Sequence, residues 1–99
     1  MQAGTIDGMD LARRGAAFLY AHGAGQVWVF GSVAKGRRLD FRSDVDFAVE
    51  GLAPQSYLRL GAQLEELLAF SVDLVDIERA DEVLRSQILA HGILIPREN

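Results

Sequence analysis

The feature that most constrains the fold is an apolar run, residues 27–30, that stops at Gly31 and Ser32 and is followed, after a basic loop, by Asp44 and Asp46. In a β-strand the side chains alternate between two faces and each residue advances roughly 3.3 Å, so these two carboxylates are predicted to share one face, with Cα atoms about 6.6 Å apart. The apolar residues that alternate with them then fall on the opposite face, which predicts that this face is buried. Packing alone does not account for the pattern, which is typical of a metal-dependent phosphate site.

The two carboxylates predict a bound cation. Adjacent anions repel each other, and a divalent ion that bridges them relieves the repulsion. Magnesium prefers oxygen ligands and commonly binds one or two carboxylates together with substrate phosphates and water. A nucleoside triphosphate would complete such a site.

The turn at Gly31 and Ser32 is the second part of the predicted site. Glycine lets the backbone approach a phosphate closely, and the N–H groups that follow it, in a short helix or nest, would face the phosphate oxygens. Four basic residues add positive charge to the next loop: Lys35, Arg37, Arg38 and Arg42. A lone Gly-Ser or Asp-x-Asp also occurs in ordinary turns and strand edges, but their succession along the chain favours a nucleotide site.

At these residues the chain resembles the minimal nucleotidyltransferases of the DNA polymerase β-like superfamily, which include small antitoxins encoded beside HEPN-domain toxins. The resemblance extends roughly over residues 11–96 and is carried by Gly-Ser-Val-Ala-Lys-Gly at 31–36, Ser-Asp-Val-Asp at 43–46 and Val-Asp-Leu-Val at 72–75. Eleven residues, 33–43, separate Gly-Ser from the first aspartate, one more than in the family's usual pattern. Because the added residue lies in the loop, the sequence leaves open which basic side chain reaches the nucleotide.

The resemblance implies an α/β fold like the nucleotidyltransferase palm, a small mixed β-sheet with helices packed against it. It also implies transfer of AMP from ATP to an acceptor hydroxyl, with release of pyrophosphate. The expected catalytic and metal-binding residues, which would hold two Mg²⁺ ions, are Asp44, Asp46 and Asp73. The expected nucleotide-binding residues are Gly31, Ser32, Lys35 and Ser43.

Residues 71–77 are predicted to form the strand that supplies the third carboxylate. Strand alternation places Asp73 and Asp76 on opposite faces, so only one of them shares the catalytic face. The resemblance assigns this role to Asp73. Asp76 is expected to turn the chain at the end of the strand or to assist the next helix.

The remaining periodicity predicts three longer helices and two further strands. The helices are expected over residues 9–22, from 54 or 55 to 70, and over 80–91, and the strands over 26–30 and 93–95. Asp7 or Asp10 is expected to favour the start of the first helix. Trp28 is expected in the core, and His22 and His91 at surface or helix-end positions. The apolar stripe of the middle helix is predicted to contain Tyr57, Leu60, Gly61, Leu64, Leu67 and Leu68.

Length and composition indicate one soluble globular domain, residues 1–99. The chain is 49% apolar and 24% charged, has no cysteine for a disulfide or thiolate zinc site, and lacks an apolar run of the ~20 residues that a membrane helix needs. Because its N-terminus has no signal-peptide pattern, we expect a cytoplasmic protein. The net charge of −4 disfavours binding to long nucleic acid, although a short RNA end remains compatible.

A chain of 99 residues has little structure beyond a catalytic palm, so a partner is expected to help hold the acceptor. The resemblance implies a HEPN-domain ribonuclease toxin that the chain neutralises by transferring AMP to a tyrosine, in a hetero-oligomer; a homodimer is also compatible with the sequence. Two alternatives stay open. The chain acts as an antitoxin by binding alone, or it is a nucleotidyltransferase that modifies a small molecule or an RNA.

Overall fold

The computed structural model describes residues 6–98 of the chain. Its elements are α1 (Gly8–Ala21), β1 (Gln26–Phe30), α2 (Gly31–Ala34), β2 (Val45–Glu50), α3 (Tyr57–Leu68), β3 (Val72–Asp76), α4 (Glu82–His91) and β4 (Ile93–Ile95). A 3-10 turn, Pro54–Ser56, leads into α3. The predicted order of helices and strands is confirmed. Within residues 6–98, none of the helices has the length and apolar character of a membrane span.

In the described part of the chain, four strands form one mixed sheet in the order β3-β2-β1-β4. β1 is antiparallel to β2 and to β4, whereas β2 and β3 are parallel. Parallel neighbours need a crossover connection, and α3 lies in the one between β2 and β3. The prediction of a small mixed sheet with packed helices is therefore confirmed, and β4 is the short terminal strand.

One face of the sheet is packed against α1 and α3. Val45, Phe47 and Val49 of β2 are fully buried there, on the face that strand alternation predicts for them. Leu19 of α1 and Leu64 of α3 belong to the same hydrophobic cluster. Because each such side chain contributes roughly 1.5–3 kcal/mol when it is fully buried, this face is the main source of hydrophobic stabilisation.

The opposite face carries a smaller cluster. Its buried members are Trp28, Ala48, Ile77 and Ile88, so Trp28 lies in the core as predicted. Of the α4 residues, all of which are described, Ile88 alone is buried. This face is therefore covered less completely than the other.

The middle helix differs from its prediction at its end and in one member of its stripe. α3 ends at Leu68 because the next residue, Ala69, adopts a left-handed conformation with a φ of 52°. Leu67 is 45% exposed, so its predicted place in the buried stripe is wrong. The leucines that α3 buries are Leu60, Leu64 and Leu68.

Aspartate caps fix the starts of two helices. Oδ1 of Asp7 accepts a hydrogen bond from the N–H of Met9 at 3.0 Å, so Asp7 caps α1. Asp81 accepts one from the N–H of Leu84 at 2.8 Å, and α4 therefore begins at Glu82, two residues later than predicted. Each such cap stabilises its helix by about 1 kcal/mol.

Candidate active site

Two predicted site residues lie side by side on the less covered face of the sheet. Asp46 of β2 is paired with Phe30 of β1 and with Asp73 of β3. Side chains of directly paired residues point to the same face, with Cβ atoms about 5 Å apart. The register between β2 and β3, which residue spacing alone does not determine, thus makes Asp46 and Asp73 neighbours.

Asp44 lies outside the strand that was predicted to contain it. β2 begins at Val45, whose N–H donates to the carbonyl of Ser71 at 2.9 Å, and Asp44 precedes this first contact with the β3 segment. The Asp44 side chain still turns towards that segment, because Oδ1 accepts a hydrogen bond from the Ser71 hydroxyl at 2.5 Å. Two independent bonds therefore hold Asp44 near the start of β3.

Asp46 is influenced electrostatically by both of the other predicted carboxylates. Burial, followed by the negative charges of Asp73 and Asp44, raises the pKa of Asp46 to about 6. Asp44 and Asp73 are exposed, and Asp46 is partly buried. Within residues 6–98, the one salt bridge joins Arg79 to a different carboxylate, that of Asp76, so none of the described cations forms a salt bridge with Asp44, Asp46 or Asp73.

Gly31 is required where β1 passes into α2. Its φ is +68°, a left-handed conformation that glycine adopts without steric cost. A Cβ atom at this position would lie 2.1 Å from Oδ2 of Asp46. The turn predicted to approach a phosphate therefore also leaves the space that the Asp46 carboxylate occupies.

The basic loop begins directly after this turn. Lys35 ends α2, where its N–H donates to the carbonyl of Gly31 at 3.1 Å, and its side chain is exposed. The Ser43 hydroxyl takes part in a local turn, 3.0 Å from the N–H of Asp40 and 3.3 Å from Oδ1 of the same residue. The nucleotide-binding roles of Lys35, Ser43, Gly31 and Ser32 stay predictions.

Asp76 has the structural position that was expected for it. Its Oδ1 accepts the N–H of Glu78 at 3.0 Å, and its Oδ2 lies 3.6 Å from Nε of Arg79. These contacts turn the chain at the end of β3. Asp76 lies three residues further along the strand than Asp73, on the opposite face.

The carboxylate cluster suits magnesium in its chemistry. Within residues 6–98, no three Asp, Glu or His side chains form a ready set of ligands for one ion. Magnesium does not need such a set, because it is usually bound through one or two carboxylates, with phosphates and water completing its shell. Oxygen donors that carry negative charge and form no salt bridge within the described residues fit this mode of binding.

An open cleft of about 640 Å³ lies between the β1–α2 turn and α4, and its lining includes Phe30 and Gly31, both of which are next to Asp46. Six of the residues that line it are Phe30, Gly31, Lys35, Leu84, Gln87 and His91. Neither Gln87 nor His91 is among the site residues predicted from the sequence. Their spacing places them on the same helical face as Leu84 and Ile88. Two polar residues on an otherwise apolar helical face indicate that this part of the helix borders a cleft.

A smaller cavity of about 300 Å³ lies between α1 and the C-terminal segment. It is lined by Tyr20, whose hydroxyl bonds to the carbonyl of Ile95 and so ties β4 to α1. Its lining contains neither the Gly31 turn nor a residue paired with Asp46, whereas the larger cleft is lined by both Gly31 and Phe30. We therefore assign the larger cleft to the candidate site.

The chain matches a known protein family in both sequence and structure. A family model described as polymerase beta, nucleotidyltransferase, matches residues 18–99. A solved structure assigned as a minimal nucleotidyltransferase aligns with a TM-score of 0.73 and 35% identity, covering 95% of this chain and 99% of that one. No curated protein gives a significant match.

Two toxin–antitoxin structures are also similar. A toxin–antitoxin complex with AMP-PNP aligns with a TM-score of 0.75 and 26% identity, covering 88% of this chain and 74% of that one. A complex of a tri-AMPylated HEPN toxin from Shewanella oneidensis with an MNT antitoxin aligns with a TM-score of 0.71 and 23% identity, covering 92% and 73%. At 23% identity, the similarity to this second complex shows a shared fold alone.

Proposed function

Because the chain belongs to the polymerase beta nucleotidyltransferase family, we propose that it transfers AMP from ATP to a hydroxyl group of a HEPN ribonuclease toxin and so acts as an antitoxin in the cytoplasm. The observation that supports the transferase part is that Asp46 lies against the Gly31 turn, is paired with Asp73 and is affected by the charge of Asp44. The partner part rests on similar structures, which include a toxin–antitoxin complex with AMP-PNP and one with an AMPylated HEPN toxin. The identity of the acceptor is thus inferred from the similar structures, whereas the reaction type is inferred from the residues of the site.

Three aspartates would hold two Mg²⁺ ions in this proposal. Asp44 and Asp46 would bind both ions, and Asp73 the ion nearest the acceptor, with ATP phosphates and water as further ligands. When bound, Mg²⁺ neutralises charge on the phosphates and stabilises the attacking and leaving oxygens. The Asp46 carboxylate, whose pKa is raised without metal, would be favoured in its ionised form by a bound cation, which would lower this pKa again.

The β1–α2 turn and the loop after it would hold the triphosphate. Backbone N–H groups of the turn would face the β- and γ-phosphates, where closely spaced donors stabilise negative charge. The Lys35 ammonium, exposed at the end of α2, would add a positive charge to the same end of the nucleotide. The residues proposed for this role are Gly31, Ser32, Lys35 and Ser43.

The proposed transfer is a displacement at the α-phosphorus of ATP. The acceptor oxygen forms a bond to this phosphorus while the bond to the bridging oxygen breaks, and pyrophosphate leaves with that electron pair. The hydroxyl proton passes to the carboxylate of Asp73. This carboxylate is exposed on β3, an edge strand of the sheet, where a protein acceptor can reach it.

Intact-mass measurement tests the proposal. The chain is incubated with ATP, magnesium and the product of the neighbouring gene, and this proposed partner is expected to gain the mass of AMP. Asp44→Ala and Asp46→Ala should abolish the gain because they remove a ligand charge. Normal transfer by either variant would contradict the metal assignment.

A matched pair on β3 tests the third carboxylate. Asp73→Asn should lose transfer, whereas Asp76→Asn should keep it and lose some stability, because Asp76 only turns the chain. The reverse ranking would move the site to Asp76. If wild type and Asp46→Ala suppress the toxin equally well without ATP, the antitoxin acts by binding alone.

A further inference from the structure

The cleft next to α4 continues the row of paired residues that contains the carboxylates. Phe30 lies beside Asp46 on the same face of the sheet and is partly buried. It also forms one wall of the cleft, together with Gly31 and Lys35. A ligand whose charged end lies at the carboxylates and the Gly31 turn therefore has its nearest open space beyond Phe30, in the cleft.

The size and lining of the cleft suit a planar, largely apolar group with a polar edge. Its volume of about 640 Å³ lies within the range of roughly 300–1,000 Å³ found for small-molecule sites. Phe30, Leu84 and Ile88 offer apolar surface, while Gln87 and His91 are the polar side chains on the α4 side. An apolar lining with few polar groups is typical of sites that bind and orient one ligand. A nucleobase has both properties.

The end of α4 lies close to β1 at Gly92, where α4 passes into β4. A Cβ atom at Gly92 would lie 2.5 Å from the carbonyl oxygen of Ile88 and 3.3 Å from that of Val29. Glycine therefore lets α4 lie directly against β1 at the end of the cleft. Gln87, an exposed residue five positions before Gly92, belongs to the helix whose end this contact positions.

We propose that this cleft takes the adenine base of the nucleotide and that Gln87 determines the preference for adenine over guanine. This inference rests on the proposed transferase function and adds where the base binds and which residue selects it. The side chain of Gln87 has an amide carbonyl that accepts from the N6 amine of adenine and an amide N–H that donates to N7. Guanine has an acceptor, O6, in place of the N6 donor, so the amide carbonyl is left without a partner.

Equilibrium binding tests the inference without relying on turnover. AMP-PNP, GMP-PNP and inorganic tripolyphosphate, each with magnesium, are titrated calorimetrically into the wild type, Gln87→Leu and the control Gln63→Leu. Gln63 is an exposed residue of α3 remote from the cleft, so its variant makes the same chemical change elsewhere. Loss of two hydrogen bonds should lower the affinity of Gln87→Leu for AMP-PNP about tenfold and remove its preference over GMP-PNP. Tripolyphosphate affinity should not change, and Gln63→Leu should behave as wild type.

A second variant guards against an altered fold. Gln87→Glu keeps the length and shape of the side chain but cannot donate to N7, so it should also bind AMP-PNP more weakly than the wild type. Equal AMP-PNP affinity of wild type, Gln87→Leu and Gln87→Glu would overturn the base-binding inference, while binding of tripolyphosphate would leave the transferase proposal standing. A wild type that binds neither AMP-PNP nor tripolyphosphate would overturn both.

Discussion

The two faces of β2 pack against different surroundings, although the residues of both faces alternate along one short strand. Phe47 is fully buried against α1 and α3, whereas its neighbour Asp46 faces the side of α4 and is partly exposed. The pKa of Asp46 is raised to about 6 by burial and by two other carboxylates, so its ionised form is held at a cost. The face that carries Phe47 and packs against α1 and α3, the closed face, therefore stabilises the fold, whereas the face that carries Asp46, the open face, holds charge for a ligand.

The largest expected effect on stability comes from opening the closed face. Phe47 is fully buried, and its ring lies so close to α1 that a Cβ at Gly15 would approach it to 2.3 Å. Phe47→Ala should lower the free energy of unfolding by about 3–5 kcal/mol, measured by urea unfolding. Phe41→Ala is the matched control, because Phe41 is 87% exposed, and it should change stability by less than about 0.5 kcal/mol. Similar losses for the two variants would contradict the account of the closed face.

The second prediction concerns Gly31, at the turn from β1 into α2. Gly31→Ala should cost about 1–2 kcal/mol because of its left-handed backbone. It should also displace Asp46, whose Oδ2 would lie 2.1 Å from the new Cβ, and so reduce stabilisation by magnesium with ATP. Gly36→Ala has the same kind of backbone, with a φ of +71°, but no atom lies within 4 Å of its Cβ. Thermal melts of both variants with and without the ligand check this, and an equal loss of ligand stabilisation would refute the steric explanation.

The third prediction is the pH dependence of the open face without metal. Asp46 has its pKa raised from 3.8 to about 6, so between these values the folded protein keeps a proton that the unfolded chain has lost. This contribution to the free energy of unfolding is present below pH 3.8, falls as the pH rises, and is lost above pH 6. Since Asp46 is partly exposed, solvent screening limits the change to about 1 kcal/mol.

Urea unfolding of wild type and Asp46→Asn in chelator, at about pH 4 and pH 7, isolates this group. Asparagine mimics the protonated carboxylate, so the two proteins should be close in stability at the lower pH. At the higher pH the variant should be the more stable one. A difference that does not depend on pH would show that Asp46 titrates normally.

The smallest expected effect on stability is that of Ser71→Ala. The Ser71 hydroxyl donates to Asp44, but both residues are exposed, so the change in unfolding free energy should stay below about 1 kcal/mol. Magnesium affinity should fall about tenfold, because groups that orient a metal-binding carboxylate tune its binding. Ser56→Ala removes a serine hydrogen bond to the carbonyl of Ala53 and serves as control. Unchanged magnesium affinity in Ser71→Ala would show that this bond only joins the two segments.

The closed face could be predicted from the sequence because its signals are local. Continuous apolar residues gave the range of β1, and alternation placed Val45, Phe47 and Val49 on one face. Leu67 was misplaced because an apolar residue at the margin of a helical stripe is buried only if a neighbour covers it. Whether such a neighbour is present depends on tertiary packing, which the helical pattern does not contain.

The open face could be predicted in its residue types but not in its geometry. The pairing of Asp46 with Asp73 depends on the register of two parallel strands that are distant in sequence. Asp44 lies outside β2 because the strand starts where Val45 meets Ser71, a contact that no local pattern specifies. Gln87 and His91 line a site only because α4 packs across this face, so their spacing alone could not assign them.

The most direct test of the central claim is a pair of thermal melts, in chelator and in magnesium with ATP, for the wild type and Asp46→Asn. Ligand binding to the folded state raises the melting temperature by mass action, so the wild type should melt higher with magnesium and ATP. Asp46→Asn should melt at the same or a higher temperature than the wild type in chelator and should gain less from the ligand. A lower melting temperature of Asp46→Asn in chelator, together with no shift of the wild type by magnesium and ATP, would contradict a metal–nucleotide site on the open face.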